Sequence, residues 1–115
     1  MKKLQNCFKL GSKITIYVPS TVDVDKQVSN TKYVNAIAEK LSTLFGGATS
    51  TPARGYWVSE NGKLVKESTT LVFAYADTQA LEEHIDEVVE LCEWLRNEMT
   101  QEAVALELNG EMYFI

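Results

Sequence analysis

A chain of 115 residues, 45% hydrophobic and 23% charged, has the size and balance of one folded soluble domain and is too short for two separate cores. Its net charge of −5 argues against a nucleic-acid binder, which presents a basic stripe, and no apolar run approaches the roughly 20 residues of a membrane span. Two cysteines, Cys7 and Cys92, are too few for a disulfide framework and no Cys/His spacing suits zinc, so the expected setting is a reducing cytoplasm, with no metal and no cofactor.

In the lead-in, Gln5, Asn6 and Lys9 interrupt any apolar core of a signal peptide. Residues 1–12 are expected to be loosely ordered, with Phe8 and Leu10 as apolar anchors. From Lys13 to Val18, Ile14, Ile16 and Val18 alternate with Thr15 and Tyr17, the period of a half-buried strand that Pro19 ends. Ser20 to Ser29 is a polar loop carrying Val22, Val24 and Val28. The spacing of Val34, Ile37, Ala38, Leu41, Leu44 and Phe45 predicts a helix over 31–45, with Asn30 as its N-cap and Gly46-Gly47 as its C-terminal stop.

Asn61-Gly62 between two apolar runs predicts a hairpin, since both positions of a two-residue turn take φ > 0. A two-residue turn pairs Ser59 with Leu64, Val58 with Val65, Trp57 with Lys66 and Tyr56 with Glu67. The return strand continues through Leu71–Ala76, with a register break expected near Ser68 to Thr70. Asp77 or Thr78 caps a helix over about 79–99, striped by Leu81, Ile85, Val88, Cys92, Leu95 and Met99. Asn109-Gly110 turns a last hairpin that pairs Leu108 with Glu111, Leu106 with Tyr113 and Val104 with Ile115. The order β-α-β-β-α-β with a short extra C-terminal strand is that of an α+β, ferredoxin-like single domain over 1–115, its two helices on one face of an antiparallel sheet.

Two helices cover one sheet face, so the other is polar or is covered by something else. Tyr17 points to that reverse face, and Tyr56 and Trp57 point to opposite faces. A homo-oligomer, in the first instance a dimer through the sheet, is the expected use of such a surface.

Three segments carry candidate chemistry. The glycines, hydroxyls, Arg and aromatics of 45–57 nominate Thr49, Ser50, Thr51, Arg54, Tyr56 and Trp57 as a pocket for a phosphate- or nucleotide-containing small molecule. Gly46-Gly47 follows a helix, at its negative end, which suits a C-cap better than a phosphate cradle. Arg54 also has a structural role open to it, as a same-face diagonal neighbour of Glu67. The second segment is acidic. Residues 1–67 hold ten Lys/Arg and five Asp/Glu, whereas residues 68–115 hold one Arg and eleven Asp/Glu. Glu83, Asp86, Glu87 and Glu90 sit on the polar helix face with like-charge i, i+4 pairs that weaken a helix, nominating a contact for a partner with a basic surface; the plain alternative is a solvated face. Third, catalytic residues of the familiar kinds are missing: His84 is the only histidine, and no nucleophile–base spacing or phosphate-binding loop occurs.

The run Ala53-Arg54-Gly55-Tyr56-Trp57, then Asn61-Gly62-Lys63-Leu64-Val65-Lys66-Glu67 and Leu71-Val72, resembles the central hairpin of a family of small uncharacterised bacterial domains, and Phe45–Thr51 is similar to short proteins of bacterial, plasmid and phage genomes. The resemblance implies a ferredoxin-like fold and a bacterial or mobile-element origin, and supplies no activity. The expectation drawn from the sequence is a non-enzymatic binding protein that engages a macromolecule, such as a host protein, through its acidic helix or aromatic hairpin. The alternative is a small-molecule binder or enzyme with a pocket at 49–57.

Overall fold

The computed structural model describes residues 2–22 and 26–115. In chain order the elements are α1 (Lys2–Gln5), β1 (Ser12–Pro19), β2 (Thr21–Val22), β3 (Lys26–Gln27), α2 (Thr31–Phe45), β4 (Thr49–Val58), β5 (Leu64–Ala76), α3 (Thr78–Glu98), β6 (Ala105–Leu108) and β7 (Glu111–Phe114). Five strands form one antiparallel sheet in the order β4-β5-β1-β6-β7, while β2 and β3 make a separate two-stranded ladder. This is the expected ferredoxin-like α+β arrangement, with the extra strand β7 on one edge and β4 on the other.

Apolar alternation in β1 decides which face is covered. Ile14, Ile16 and Val18 lie beside Ala74, Val72 and Thr70 of β5, and Ile14 and Ile16 beside Leu108 and Leu106 of β6. All of these but Thr70 share one core with Ile37 and Leu41 of α2 and Leu81, Val88, Cys92 and Leu95 of α3. Both helices therefore lie on one side. The reverse side carries Thr15, Tyr17, Leu71, Phe73, Tyr75, Met112 and Phe114 by strand alternation, and no second layer of described residues covers it.

Local chemistry sets the helix ends. Gly46 takes φ 92° and its N–H reaches the Ser42 carbonyl, as a glycine C-cap should. At α3, the Asp77 side chain accepts from the Gln79 N–H at 2.7 Å. Asn30, the expected cap of α2, makes no capping bond. Its side-chain amide instead donates to the carbonyls of Val18 and Pro19 and to the Thr70 hydroxyl, at 3.2, 3.3 and 3.1 Å. Tying the helix start to two strands satisfies partly buried acceptors that solvent reaches poorly, and this outweighs the local cap.

Several expectations about the chain's periphery need correction. The lead-in forms the short helix α1, and Phe8 anchors nothing, being 89% exposed. The Ser20–Ser29 loop contains the β2–β3 ladder, while Asp23, Val24 and Asp25 lie outside the described residues. No register break interrupts β5, which runs 13 residues without a bulge against both neighbours.

The two Asn-Gly hairpins differ. At 109–110 both residues have positive φ, 52° and 86°, and Leu108 pairs with Glu111 across a two-residue turn as expected. At 61–62 only Gly62 is left-handed, at 76°. The Ser59 N–H reaches the Lys63 carbonyl, so three residues, Glu60-Asn61-Gly62, form the loop. The Ser59 hydroxyl accepts from the Lys63 N–H at 3.3 Å and supports that longer turn. Val58 consequently pairs with Leu64, Trp57 with Val65, Tyr56 with Lys66 and Gly55 with Glu67. Because side chains alternate, this one-residue shift moves every partner to the other face.

Candidate functional site

The shift at 61–62 redraws the candidate pocket. Arg54 lies opposite Ser68 and on the other face from Glu67, so the expected Arg54–Glu67 pair does not form. Glu67 meets Trp57 instead, the indole Nε1–H donating to its carboxylate at 3.1 Å. The six nominated residues divide by facing. Thr49, Thr51 and Trp57 point to the open side of the sheet; Ser50, Arg54 and Tyr56 point to the helix side. Thr49 and Trp57 are eight residues apart on one strand, about 26 Å. One chain does not bring all six into a single pocket.

What it forms instead is a projecting ribbon and a basal cleft. β1 reaches only as far as Thr69 of β5, so Arg54–Val58 and Leu64–Ser68 continue as a two-stranded ribbon without a third strand. Tyr56, Trp57, Val58 and Leu64 are all exposed there. An isolated two-stranded ribbon is marginal in water, and this one lengthens the molecule to 53 Å with a radius of gyration of 15.7 Å, against about 13 Å for a compact domain of this length.

The cleft, of about 350 Å³, lies at the opposite end of β4. Leu10, Phe45–Thr49 and Phe73–Tyr75 line it. Phe73 and Tyr75 meet edge to face, with centroids 6.2 Å apart, and the Lys13 ammonium lies 4.6 Å from the Phe73 centroid and 5.6 Å from that of Tyr75. The C-terminal end of α2 opens onto this space. Among the described residues, the carbonyls of Thr43, Leu44 and Phe45 accept no hydrogen bond from beyond the helix. Sequence reasoning found the glycine segment but missed Phe73, Tyr75 and Lys13, which lie on other strands; the excess of strand aromatics was the available signal.

No family model and no curated protein matches the chain. Among solved structures, it is similar to a phage SAM lyase. The form without ligand shares 24% identity at a TM-score of 0.67, over 95% of this chain and 94% of that one. The complex with S-methyl-5'-thioadenosine gives 23% identity and a TM-score of 0.65, over 94% and 93%. The periplasmic divalent cation tolerance protein CutA of Archaeoglobus fulgidus follows at 16% identity and a TM-score of 0.53, over 84% and 79%. Likeness at this level is likeness of fold.

The acidic face of α3 is partly engaged at home. His84 Nδ1 lies 2.8 Å from one Glu87 carboxylate oxygen, and Lys40 of α2 reaches the other at 3.4 Å. The bond to His84, then the Lys40 contact, holds the Glu87 carboxyl below its usual range. Lys40 is thus a basic neighbour that α3 alone did not reveal. His84 also stands edge-on to Phe45, 6.0 Å between ring centroids. Glu83 accepts from the Gln79 amide at 3.4 Å, while Asp86 and Glu90 are exposed. Among the described residues no group of His, Cys, Asp and Glu is placed to hold a metal ion, and no helix is long and apolar enough to cross a membrane.

Proposed function

We propose that this protein binds S-adenosylmethionine and splits it, releasing S-methyl-5'-thioadenosine. The observation that carries this reading is the likeness to the phage SAM lyase along nearly the whole of both chains. It modifies the second expectation from the sequence, a phosphate- or nucleotide-containing small molecule bound around 49–57, by putting a nucleoside without phosphate in its place. The substrate is a sulfonium cation. Aromatic faces and carboxylates attract such a charge, and the ribbon presents Trp57 beside Glu67 with Tyr56 on its other face. When a carboxylate oxygen of the substrate's own aminobutyryl group attacks the carbon bonded to sulfur and closes a lactone ring, the sulfur–carbon bond breaks, its electron pair moves to sulfur and the sulfonium becomes a neutral thioether. That leaving group needs no proton, so the step asks for no general acid at sulfur. Loss of charge along the reaction is favoured where water is excluded.

A second copy of the chain is the natural source of that exclusion. The projecting ribbon and the uncovered aromatic face both gain from burial, and the ribbon of one copy can meet the basal cleft of the next, which the 26 Å separation forbids within one chain. The dimer expected from the sequence is the smallest assembly of this kind.

Incubation of purified protein with S-adenosylmethionine and chromatography for S-methyl-5'-thioadenosine tests the proposal. Conversion well above the uncatalysed rate, cut at least tenfold by Glu67→Gln, is expected. No conversion and no binding refutes it. The non-enzymatic alternative retains the exposed carboxylates of Glu83, Asp86 and Glu90; it predicts that reversing their charge abolishes capture of a basic protein while the fold and any turnover persist.

A further inference from the structure

We infer that the chain carries an assembly contact of its own, independent of any ligand: the basic, apolar arm 2–10 of one copy seats in the cleft between α3 and the β6–β7 hairpin of another. The edge strand β7 turns Glu111 and Tyr113 to the helix side, opposite Leu108 and Leu106, and leaves a hollow of about 330 Å³ between itself and α3. Leu81, Ile85 and Leu108, buried or half-buried, form its floor, and the exposed Glu82, Glu111 and Tyr113 form its rim. The Tyr113 hydroxyl donates to the Glu111 carboxylate at 3.2 Å and fixes it at the rim. Among the described residues, neither Glu82 nor Glu111 meets a basic side chain of the same chain.

The arm complements this cleft in both respects. Leu4 and Phe8 are 60% and 89% exposed and border one hollow of the arm, so they can enter a single cleft as a pair. Lys2, Lys3 and Lys9 flank them, and residues 1–11 contain no Asp or Glu. Among the described residues these three lysines meet no carboxylate. An apolar pair ringed by cations matches an apolar floor ringed by carboxylates, which steers the encounter and sets its register. The chain's own cleft lies in the wrong direction. Ser12, at the root of the arm, bonds the Thr78 hydroxyl at 2.9 Å and accepts from the Asn109 amide at 3.3 Å. Leu10 then lies against Phe45–Thr49 and Phe73–Tyr75, on the β4–β5 side of β1, whereas the cleft is on the β6–β7 side. The arm therefore leaves the body away from its own cleft, and a second copy supplies the occupant.

Thiol cross-linking between two forms of the full chain tests the contact. One is the unaltered protein, whose exposed thiol is Cys7 of the arm, Cys92 being buried. The other carries Cys7→Ser with Glu82→Cys, which puts its exposed thiol at the rim. With a short bismaleimide, the mixed dimer is expected to form roughly tenfold faster than when Glu98→Cys, about 24 Å further along α3, replaces Glu82→Cys, because docking raises the effective concentration of one thiol at the other. Phe8→Asp in the first form, at an exposed side chain, is expected to abolish that excess with an unchanged melting temperature, and added salt to reduce it. In sedimentation velocity, Glu82→Lys with Glu111→Lys is expected to raise the dissociation midpoint about tenfold, and Lys2→Glu with Lys3→Glu in the same chain to bring it back. A mixed dimer that forms no faster than with Glu98→Cys, or an excess that survives Phe8→Asp, overturns the proposal. So does rapid cross-linking within one chain that carries both Cys7 and Glu82→Cys, which would put the arm in its own cleft. Each measurement is made without ligand, so the presence or absence of lyase activity does not affect the result.

Discussion

Replacing Trp57 by alanine should weaken self-association by about two orders of magnitude and leave the fold of each copy intact. A tryptophan side chain buries up to about 250 Å². Trp57 is 52% exposed, so about 130 Å² of it is free to be covered by a second copy. At about 25 cal/mol per Å² that burial is worth about 3 kcal/mol, or roughly 150-fold in Kd. Inside one chain the indole bonds the Glu67 carboxylate at 3.1 Å on a two-stranded ribbon that lies outside the buried core, so the change costs the monomer about 1 kcal/mol or less. Sedimentation velocity over a dilution series separates the two quantities, with the dissociation midpoint of the variant at roughly a hundredfold higher concentration than that of the unaltered protein. Small-angle scattering of the dissociated variant should give the radius of gyration of an elongated monomer, near the 15.7 Å of the single chain. If the unaltered protein stays monomeric at every concentration, or the variant dissociates at the same midpoint, the ribbon is not an assembly surface.

Three further outcomes test how the fold is held. Asn30→Ala should lower stability by about 1–3 kcal/mol in denaturant titration, and Asn30→Asp should be no better, because the native amide donates to three oxygens that a carboxylate would repel; a well-tolerated aspartate would restore the capping role. Asn109→Ala should cost about 1–2 kcal/mol for its left-handed backbone, plus the bond it accepts from the Lys13 N–H at 2.8 Å, whereas Asn61→Ala, at the same dipeptide, should be nearly silent. Burial pushes the Cys92 thiol up from 9.0 to about 12. Above pH 9 the unfolded chain therefore releases a proton that the native state keeps, and stability should fall by up to about 1.4 kcal/mol per pH unit between pH 9 and 12. Cys92→Ala should flatten that slope, and in the native state only the exposed Cys7 should react with a thiol reagent.

Much of the architecture is local in origin and was therefore legible. The alternation of Ile14, Ile16 and Val18, the helical stripes of 31–45 and 78–98, the glycine at 46 and the Asn109-Gly110 turn each depend on residues within a few positions of one another. So does the conclusion that one sheet face lacks a helical cover, which follows from counting two helices against one sheet. The candidate site was less accessible. Its register depends on whether an Asn-Gly turn closes over two residues or three, and the hydroxyl of Ser59 helps to settle that at 61–62.

Sequence alone determined the five strands of the main sheet, the two long helices, their order, the covered face and the acidic character of α3, because periodicity and turn chemistry act along the chain; it did not show α1 or the β2–β3 ladder. Tertiary structure alone decided that Glu67 meets Trp57 and not Arg54, that Asn30 ties strands and does not cap a helix, and that Lys13, Phe73 and Tyr75 converge on the glycine end of α2. These pairings join residues up to 62 positions apart (Lys13 and Tyr75). They are set by strand register, where a single-residue change exchanges the two faces of a sheet.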